Sequence, residues 1–227
     1  VVFSNIPSEK GALFLRELEQ KVGRDNFDKF LLGYFEHFAF QSITTDEFIS
    51  YLEQTLLKEH SDKLSKQRIQ QWIFEPGIPD NAPVPQSDAF STVDQARQDW
   101  LSGKIKANEI NSKNWVVHQW LYFLNNMPEE LSQSQLTELD AALNLTSSKN
   151  NEIAHSWLLI SVENWYQPAF TRLHEYLTSI GRNKLVKPLY KALSQTPEGK
   201  VMAKRAFEQA KDGYHPLTVK ANEGFVQ

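Results

Sequence analysis

Apolar residues recur at spacings of three and four along most of this chain, which is the periodicity of amphipathic helices. The clearest apolar stripe is formed by Phe27, Phe30, Leu31, Tyr34, Phe35 and Phe38. Further stripes predict helices over 8–22, 46–56, 69–72, 91–101, 114–127, 135–143, 151–165, 168–180, 185–193 and 197–211. No segment alternates between apolar and polar residues in the manner of a strand, so we predict an all-α fold.

Polar residues mark several of the predicted helix starts. Ser8 is expected to cap the first helix, and Thr45 is expected to cap the third. Ser91, followed three residues later by Asp94, predicts a weak capping arrangement in the second half of the chain.

One stretch interrupts the helical pattern. Between Trp72 and Pro85 the chain contains Pro76, Gly77, Pro79 and Pro83 as well as Pro85 itself. Proline lacks an amide hydrogen and restricts the residue before it, so we predict an extended connector. The predicted division is 1–75, a proline-rich linker at 76–87, and 88–227. The short polar connections after the linker are typical of antiparallel helix pairs stacked as an α-α superhelix, similar to armadillo or HEAT repeats.

Charge and composition narrow the possible partners. The 227 residues include 24 basic and 28 acidic side chains, a formal net charge of −4, and the lysines are scattered. We therefore expect no nucleic-acid partner, and no apolar run is long enough to cross a bilayer. The chain has no cysteine, which excludes disulfides and cysteine-ligated metals.

The sequence contains only the first half of a zinc-binding motif. His174 and Glu175 begin like H-E-x-x-H, but Thr178 stands where the second histidine must lie on the same helix face. His118 and His155 lie in aromatic-rich segments and are predicted to be core or groove residues. We expect no metal ligands in this chain.

Arg182 and Lys184 are the candidate anion-binding residues. They follow Gly181 and enter the start of the next predicted helix, where the helix dipole disfavours cations. An anion bound by the guanidinium fork of Arg182 and the ammonium of Lys184 would explain the placement. The alternative is a solvated basic turn.

The second half of the chain also contains five tryptophans, at Trp100, Trp115, Trp120, Trp157 and Trp165. Aromatic residues at helical spacing more often fill a core than stack on a ligand, so we predict that they pack the superhelix.

Five segments, in order, resemble the carboxy-terminal part of the leukotriene-A(4) hydrolase family, within the aminopeptidase N superfamily of zinc peptidases. They are Ile6-Pro7-Ser8-Glu9-Lys10-Gly11, Ser42-Ile43-Thr44-Thr45-Asp46-Glu47-Phe48, Trp72-Ile73-Phe74-Glu75-Pro76-Gly77-Ile78-Pro79, Gly181-Arg182-Asn183-Lys184 with Lys187-Pro188-Leu189, and His215-Pro216-Leu217-Thr218. They are spread over nearly the whole chain. The resemblance implies that 1–75 are the last helices of a thermolysin-like catalytic domain and that 88–227 are the helical carboxy-terminal domain.

The resemblance also implies roles for individual residues. Arg182 and Lys184 match the family's basic pair, which binds the free carboxylate of a peptide substrate. Ser8 stands at the position of the family's oxyanion tyrosine, and Phe3 stands where leukotriene-A(4) hydrolases have a second tyrosine. A serine hydroxyl does not reach as far as a phenol. No catalytic residue is therefore assigned in this chain, and zinc and its general base are expected only in the full-length parent.

The sequence and the resemblance leave two alternative functions, which belong to different classes. The first is the carboxy-terminal part of a zinc-dependent aminopeptidase that acts on short peptides, inactive as an isolated fragment and partnered by the rest of the parent enzyme. The second is a non-catalytic helical-repeat module that binds a protein. In the first case we expect a cytoplasmic enzyme without a nucleic-acid or membrane partner.

Overall fold

A computed structural model describes residues 6–84 and 87–227 of the chain. Every regular element among these residues is helical and no strand occurs, which confirms the all-α prediction. The chain divides into two compact units, Val1–Gln86 and Ser87–Gln227. Among the described residues, no helix combines the length and the apolar character needed to cross a membrane.

The described part of the first unit, residues 6–84, contains four α-helices. They are α1 (Ile6–Val22), α2 (Arg24–His37), α3 (Thr45–Leu52), which continues into a π-helical turn (Glu53–Leu57), and α4 (Lys66–Phe74). Their apolar stripes meet in one core formed by Phe14, Leu18, Val22, Phe27, Phe30, Leu52, Leu56, Leu57, Ile69 and Trp72. The stacked rings of Phe14 and Trp72, with centroids 5.7 Å apart, join the first helix to the last.

Three predicted helix caps were wrong. Ser8 lies inside the first turn of α1, and Ser91 lies inside the helix that begins at Ala89. Thr44, and not Thr45, caps α3, because its hydroxyl accepts the amide hydrogen of Glu47 at 3.3 Å while the Glu47 carboxylate accepts the amide hydrogen of Thr44 at 2.7 Å. This reciprocal capping box requires a residue three positions before a glutamate, which Thr45 does not satisfy.

The first unit also exposes large apolar side chains. Leu32, Phe35, Phe40, Phe74 and Ile78 are each more than half exposed. Isolated apolar side chains are common on protein surfaces, but several large ones in a unit this small are typical of a surface that another part of a protein covers.

The second unit contains eight α-helices. They are α5 (Ala89–Leu101), α6 (Val117–Asn125), α7 (Gln133–Leu143), α8 (Asn151–Glu163), α9 (Phe170–Ser179), α10 (Asn183–Leu193), α11 (Pro197–Ala210) and α12 (Pro216–Asn222). Helices α5, α6, α8, α10 and α12 pack successively against one another, and α9 packs against α11. Among α6, α8, α10 and α12 on one side and α9 and α11 on the other, alternate helices thus form two layers, the arrangement of an α-α superhelix.

The predicted linker at 76–87 lies between α4, which ends at Phe74, and α5, which begins at Ala89. Pro85 and Gln86 are outside the described residues. The assignment of 1–75 to a catalytic domain and of 88–227 to a carboxy-terminal domain stays a prediction.

The tryptophans pack the second unit. Trp100 and Trp157 are buried, and their indole N–H groups donate to Glu138 Oε2 at 3.3 Å and to Thr146 Oγ1 at 2.9 Å. Trp115 and Trp120 pack on the same core, and Trp165 contacts Phe170 edge to face. In contrast, His118 is exposed, so the prediction that it lies in a core or groove was wrong.

Two buried tyrosines connect the last turn of α9 to the segment before α12. The hydroxyls of Tyr190 and Tyr214 are 3.0 Å apart, and the Tyr214 hydroxyl donates to the carbonyl oxygen of Leu177. Tyr190 therefore donates to Tyr214. Burial raises the pKa of both phenols, which keeps these protons in place at neutral pH.

We predict that Tyr214→Phe destabilises the second unit more than Tyr190→Phe does. Loss of the Tyr214 hydroxyl leaves a buried donor on Tyr190 and a buried carbonyl of Leu177 unpaired, which costs about 1–3 kcal/mol. Loss of the Tyr190 hydroxyl removes one hydrogen bond, worth about 0.5–1.5 kcal/mol, and leaves the bond to Leu177 intact. Urea unfolding of both variants measures the difference, and a Tyr190→Phe loss equal to or larger than the Tyr214→Phe loss would contradict it.

His155 lies half-buried on α8, where this helix packs against α10. Burial lowers the pKa of this imidazole below its ordinary value of 6.5, against the opposing effects of the nearby Leu185 backbone and of the Glu152 carboxylate. Its Nδ1 is buried and has no hydrogen-bond partner among the described residues. The fold therefore favours the neutral ring.

A lowered folded-state pKa means that the unfolded chain binds the His155 proton more tightly. The free energy of unfolding should therefore fall as the pH drops below about 6.5 and should be insensitive to this group above that value. We expect His155→Gln to flatten this slope in urea unfolding between pH 5.5 and 7.5. The matched change at the exposed His118, His118→Gln, should leave the slope as it is, and equal slopes in wild type and His155→Gln would contradict the prediction.

Candidate functional site

The loop between α9 and α10 presents the predicted basic pair. Arg182 immediately precedes α10 in an extended conformation, and its carbonyl oxygen accepts the amide hydrogens of Leu185 at 2.9 Å and Val186 at 3.2 Å. Lys184 is the second residue of the helix. The side chains of Arg182 and Lys184 are 65% and 66% exposed, so both cationic ends are accessible to a ligand.

Both cations face one carboxylate. Arg182 Nη1 lies 3.5 Å from Glu152 Oε1, and Lys184 Nζ lies 3.3 Å from Glu152 Oε2. Glu152 is the second residue of α8, where the helix dipole favours an acid, and Asn150 caps the helix by accepting the amide hydrogens of Glu152 at 3.0 Å and Ile153 at 3.3 Å. Exposed ion pairs at these distances are weak.

Hydrogen bonds from α12 hold this loop in place. The Thr218 hydroxyl donates to the carbonyl oxygen of Gly181 at 3.2 Å, and Asn222 Nδ2 donates to Asn183 Oδ1 at 3.1 Å. Thr218 and Asn222 are almost completely buried. His215 caps α12 by accepting the amide hydrogen of Leu217 at 3.2 Å. Two of the sequence segments that carry the resemblance, Gly181–Lys184 and His215–Thr218, therefore lie in contact.

Two further segments meet within the first unit. The Lys10 ammonium donates to the backbone carbonyl oxygen of Glu75, which places the start of α1 next to the end of α4. Ser8 is exposed in the first turn of α1. Phe3 is outside the described residues.

Sequence patterns did not reveal two acidic residues of these units. Glu17 is buried and accepts a hydrogen bond from Asn81 Nδ2 at 2.8 Å. Its position between Phe14 and Leu18 on an apolar helix face could have indicated this burial from the sequence. No sequence pattern indicated that Glu152 pairs with Arg182 and Lys184, since these partners lie 30 and 32 residues away in the sequence.

The residues present do not fit a zinc ion. His174 Nε2 lies 2.9 Å from Gln209 Oε1, and Thr178 donates its hydroxyl hydrogen to the carbonyl oxygen of His174. Over 6–84 and 87–227, no group of three or more histidine, aspartate or glutamate side chains is arranged to hold a metal.

Two family models match the chain. Residues 1–72 match the peptidase family M1 domain, and residues 115–223 match the carboxy-terminal domain of leukotriene A4 hydrolase. The second match includes Arg182, Lys184, Glu152 and α12.

Curated relatives match along nearly all of the chain. Leucine aminopeptidase 2 of Pyricularia oryzae is 30% identical over 225 residues, covering 95% of this chain and 36% of the relative. Leucine aminopeptidase 2 of Yarrowia lipolytica is 29% identical over 229 residues, covering 95% of this chain and 35% of the relative. The chain thus spans about a third of the length of these relatives.

Solved structures of yeast LTA4 hydrolase have the same fold. The complex with bestatin matches with a TM-score of 0.71 at 25% identity, over 99% of this chain and 40% of the yeast chain. The native yeast enzyme matches with a TM-score of 0.74 at 24% identity, over 99% of this chain and 39% of the yeast chain. The two family models, the relatives and the solved structures agree: over nearly its whole length, the chain is similar to part of leukotriene A4 hydrolase and of leucine aminopeptidase 2.

Proposed function

We propose that this chain is the carboxy-terminal part of a zinc-dependent aminopeptidase that removes amino-terminal residues from short peptides. In this proposal the helical second unit walls the substrate cleft, and Arg182 and Lys184 bind the free carboxylate of the substrate. The observation that supports this role is the pair of exposed cations on a loop whose backbone is anchored by α12. A planar guanidinium fork beside an ammonium is well suited to a carboxylate.

The relatives named leucine aminopeptidase 2 support the reaction class. Zinc and the general base belong to the rest of the parent protein, because the described residues of this chain do not fit a metal. The chain by itself is therefore proposed to be inactive.

The apolar surface of the first unit supports its place within a larger domain. Leu32, Phe35 and Phe74 are exposed on a unit whose sequence matches the M1 peptidase domain model only over 72 residues. We propose that the remainder of the parent's catalytic domain covers these side chains and is the principal partner of this chain.

Ser8 supports the alternative function, a non-catalytic module that binds a protein. Its hydroxyl lies on an exposed first turn, at the family's tyrosine position. A phenol at this position would stabilise an oxyanion, which the shorter side chain of serine cannot reach. Peptidase activity of the full-length parent, with and without Ser8→Tyr, distinguishes the two functions.

The carboxylate role predicts that Arg182→Ala affects substrates according to their carboxy-terminal charge. In the full-length parent, kcat/KM for a free-acid tripeptide should fall by the equivalent of about 1.5–3 kcal/mol, the range for a hydrogen bond to a charged group. The amidated tripeptide lacks the negative charge and should be nearly unaffected. Lys184→Ala should act in the same direction.

The matched control is Arg205→Ala, which removes an exposed arginine from α11 and should leave both substrates unaffected. The 227-residue chain alone should hydrolyse neither substrate. Equal losses on the free-acid and amidated peptides with Arg182→Ala would mean that Arg182 supports the fold, and the carboxylate role would be abandoned.

A further inference from the structure

We infer that Glu152 is a specificity-determining residue of the Arg182–Lys184 site, whose carboxylate weakens the binding of dianions more than that of ligands with one negative charge. The identity of the natural ligand rests on the proposed function. The charge selectivity rests on the three side chains alone.

The geometry places Glu152 between both cations. One carboxylate oxygen lies 3.5 Å from Arg182 Nη1 and the other lies 3.3 Å from Lys184 Nζ. Within the described part of the chain, neither cation has an ion pair with any other residue. The three side chains together carry a net charge of +1, so one bound carboxylate leaves the group neutral and a dianion leaves it negative.

The backbone of Glu152 stays beside the site when a ligand binds. Its backbone belongs to the first turn of α8, and its amide hydrogen is bonded to the Asn150 side chain. Its side chain is 31% exposed, less than half as exposed as those of its two partners. A ligand that reaches Arg182 and Lys184 therefore meets a negative charge as well.

The backbone that carries the two cations does not depend on this carboxylate. Arg182 and Lys184 belong to a backbone segment that α12 and the first turn of α10 hold in place. Long, exposed pairs contribute little to such order. Removal of the Glu152 charge should therefore leave this backbone in place and strengthen anion binding.

Coulomb's law gives the expected selectivity. Two unit charges about 6 Å apart in water change a binding constant roughly threefold. The effect scales with the charge of the ligand, so it is roughly tenfold for a dianion. Glu152→Gln should therefore raise the affinity for a monoanion by about threefold and that for a dianion by about tenfold.

The test uses the ¹⁵N-labelled 227-residue chain at pH 7.5 and constant ionic strength. Sodium acetate supplies the monoanion, and sodium sulfate supplies the dianion. The NMR signals of the Arg182 Nε–H group and of the amides of Asn183 and Lys184 report binding, and Arg182→Ala should abolish the amide shifts. The expected result with Glu152→Gln is a larger gain in affinity for sulfate than for acetate.

Two control variants test whether the change in anion affinity comes from the charge of Glu152. Glu152→Asp keeps the charge and should remain within about twofold of wild type, since Asp only withdraws the carboxylate by one methylene. Glu175→Gln removes an acid from α9 that is paired at 3.8 Å with Arg172, and it too should leave both affinities within about twofold.

Equal gains for the two anions, weaker binding with Glu152→Gln, or no binding in either protein would overturn the inference. The peptide kinetics with Arg182→Ala test the proposed function separately. If those kinetics fail while the anion selectivity appears, Glu152 governs the charge preference of a site whose natural ligand is not a peptide carboxylate.

Discussion

Hydrogen bonds from polar side chains of α12 fix the segment between α9 and α10. Thr218 and Asn222 are almost fully buried, and each donates a hydrogen bond to this segment, to Gly181 and Asn183. Tyr214 donates to the carbonyl oxygen of Leu177 at the end of α9. A buried polar group that loses its partner costs more than the hydrogen bond contributed, so these contacts favour one loop conformation. The orientation of Arg182 and Lys184 depends on that conformation.

The fixed loop explains how a few weak ionic contacts could define the proposed site. Arg182, Lys184 and Glu152 are held at the starts of two neighbouring helices, and their mutual ion pairs are long and solvated. Such pairs contribute little to stability, so the donors of both cations can turn to a ligand at low cost. The packing of α8, α10 and α12 orders the backbone of the site, and the charges of the three side chains determine the inferred selectivity among anions.

The helical class and most helix positions could be predicted from sequence because apolar residues recur with the helical period. α12 was missed as a helix because it has only seven residues, too short for a periodic stripe, although its sequence carried the resemblance. Thr44 and Thr45 are equally good caps by residue type, and the signal that distinguishes them is the three-residue spacing from Thr44 to Glu47, which the capping box requires. Arg182 and Lys184 were selected from their sequence, but the Glu152 carboxylate between them depends on the packing of α8 against α10, which no local pattern encodes.

The most direct test of the fixed loop is the ¹⁵N relaxation of the amides of Gly181, Arg182 and Asn183. If α12 anchors the segment, their order parameters should be about 0.85, the value of rigid backbone, and should equal those within α8 and α10. Thr218→Val removes the hydrogen bond to Gly181 at nearly constant volume and should lower them. Order parameters below about 0.6 in the wild-type loop, with α8 and α10 still rigid, would show that the basic pair is mobile and would contradict this account.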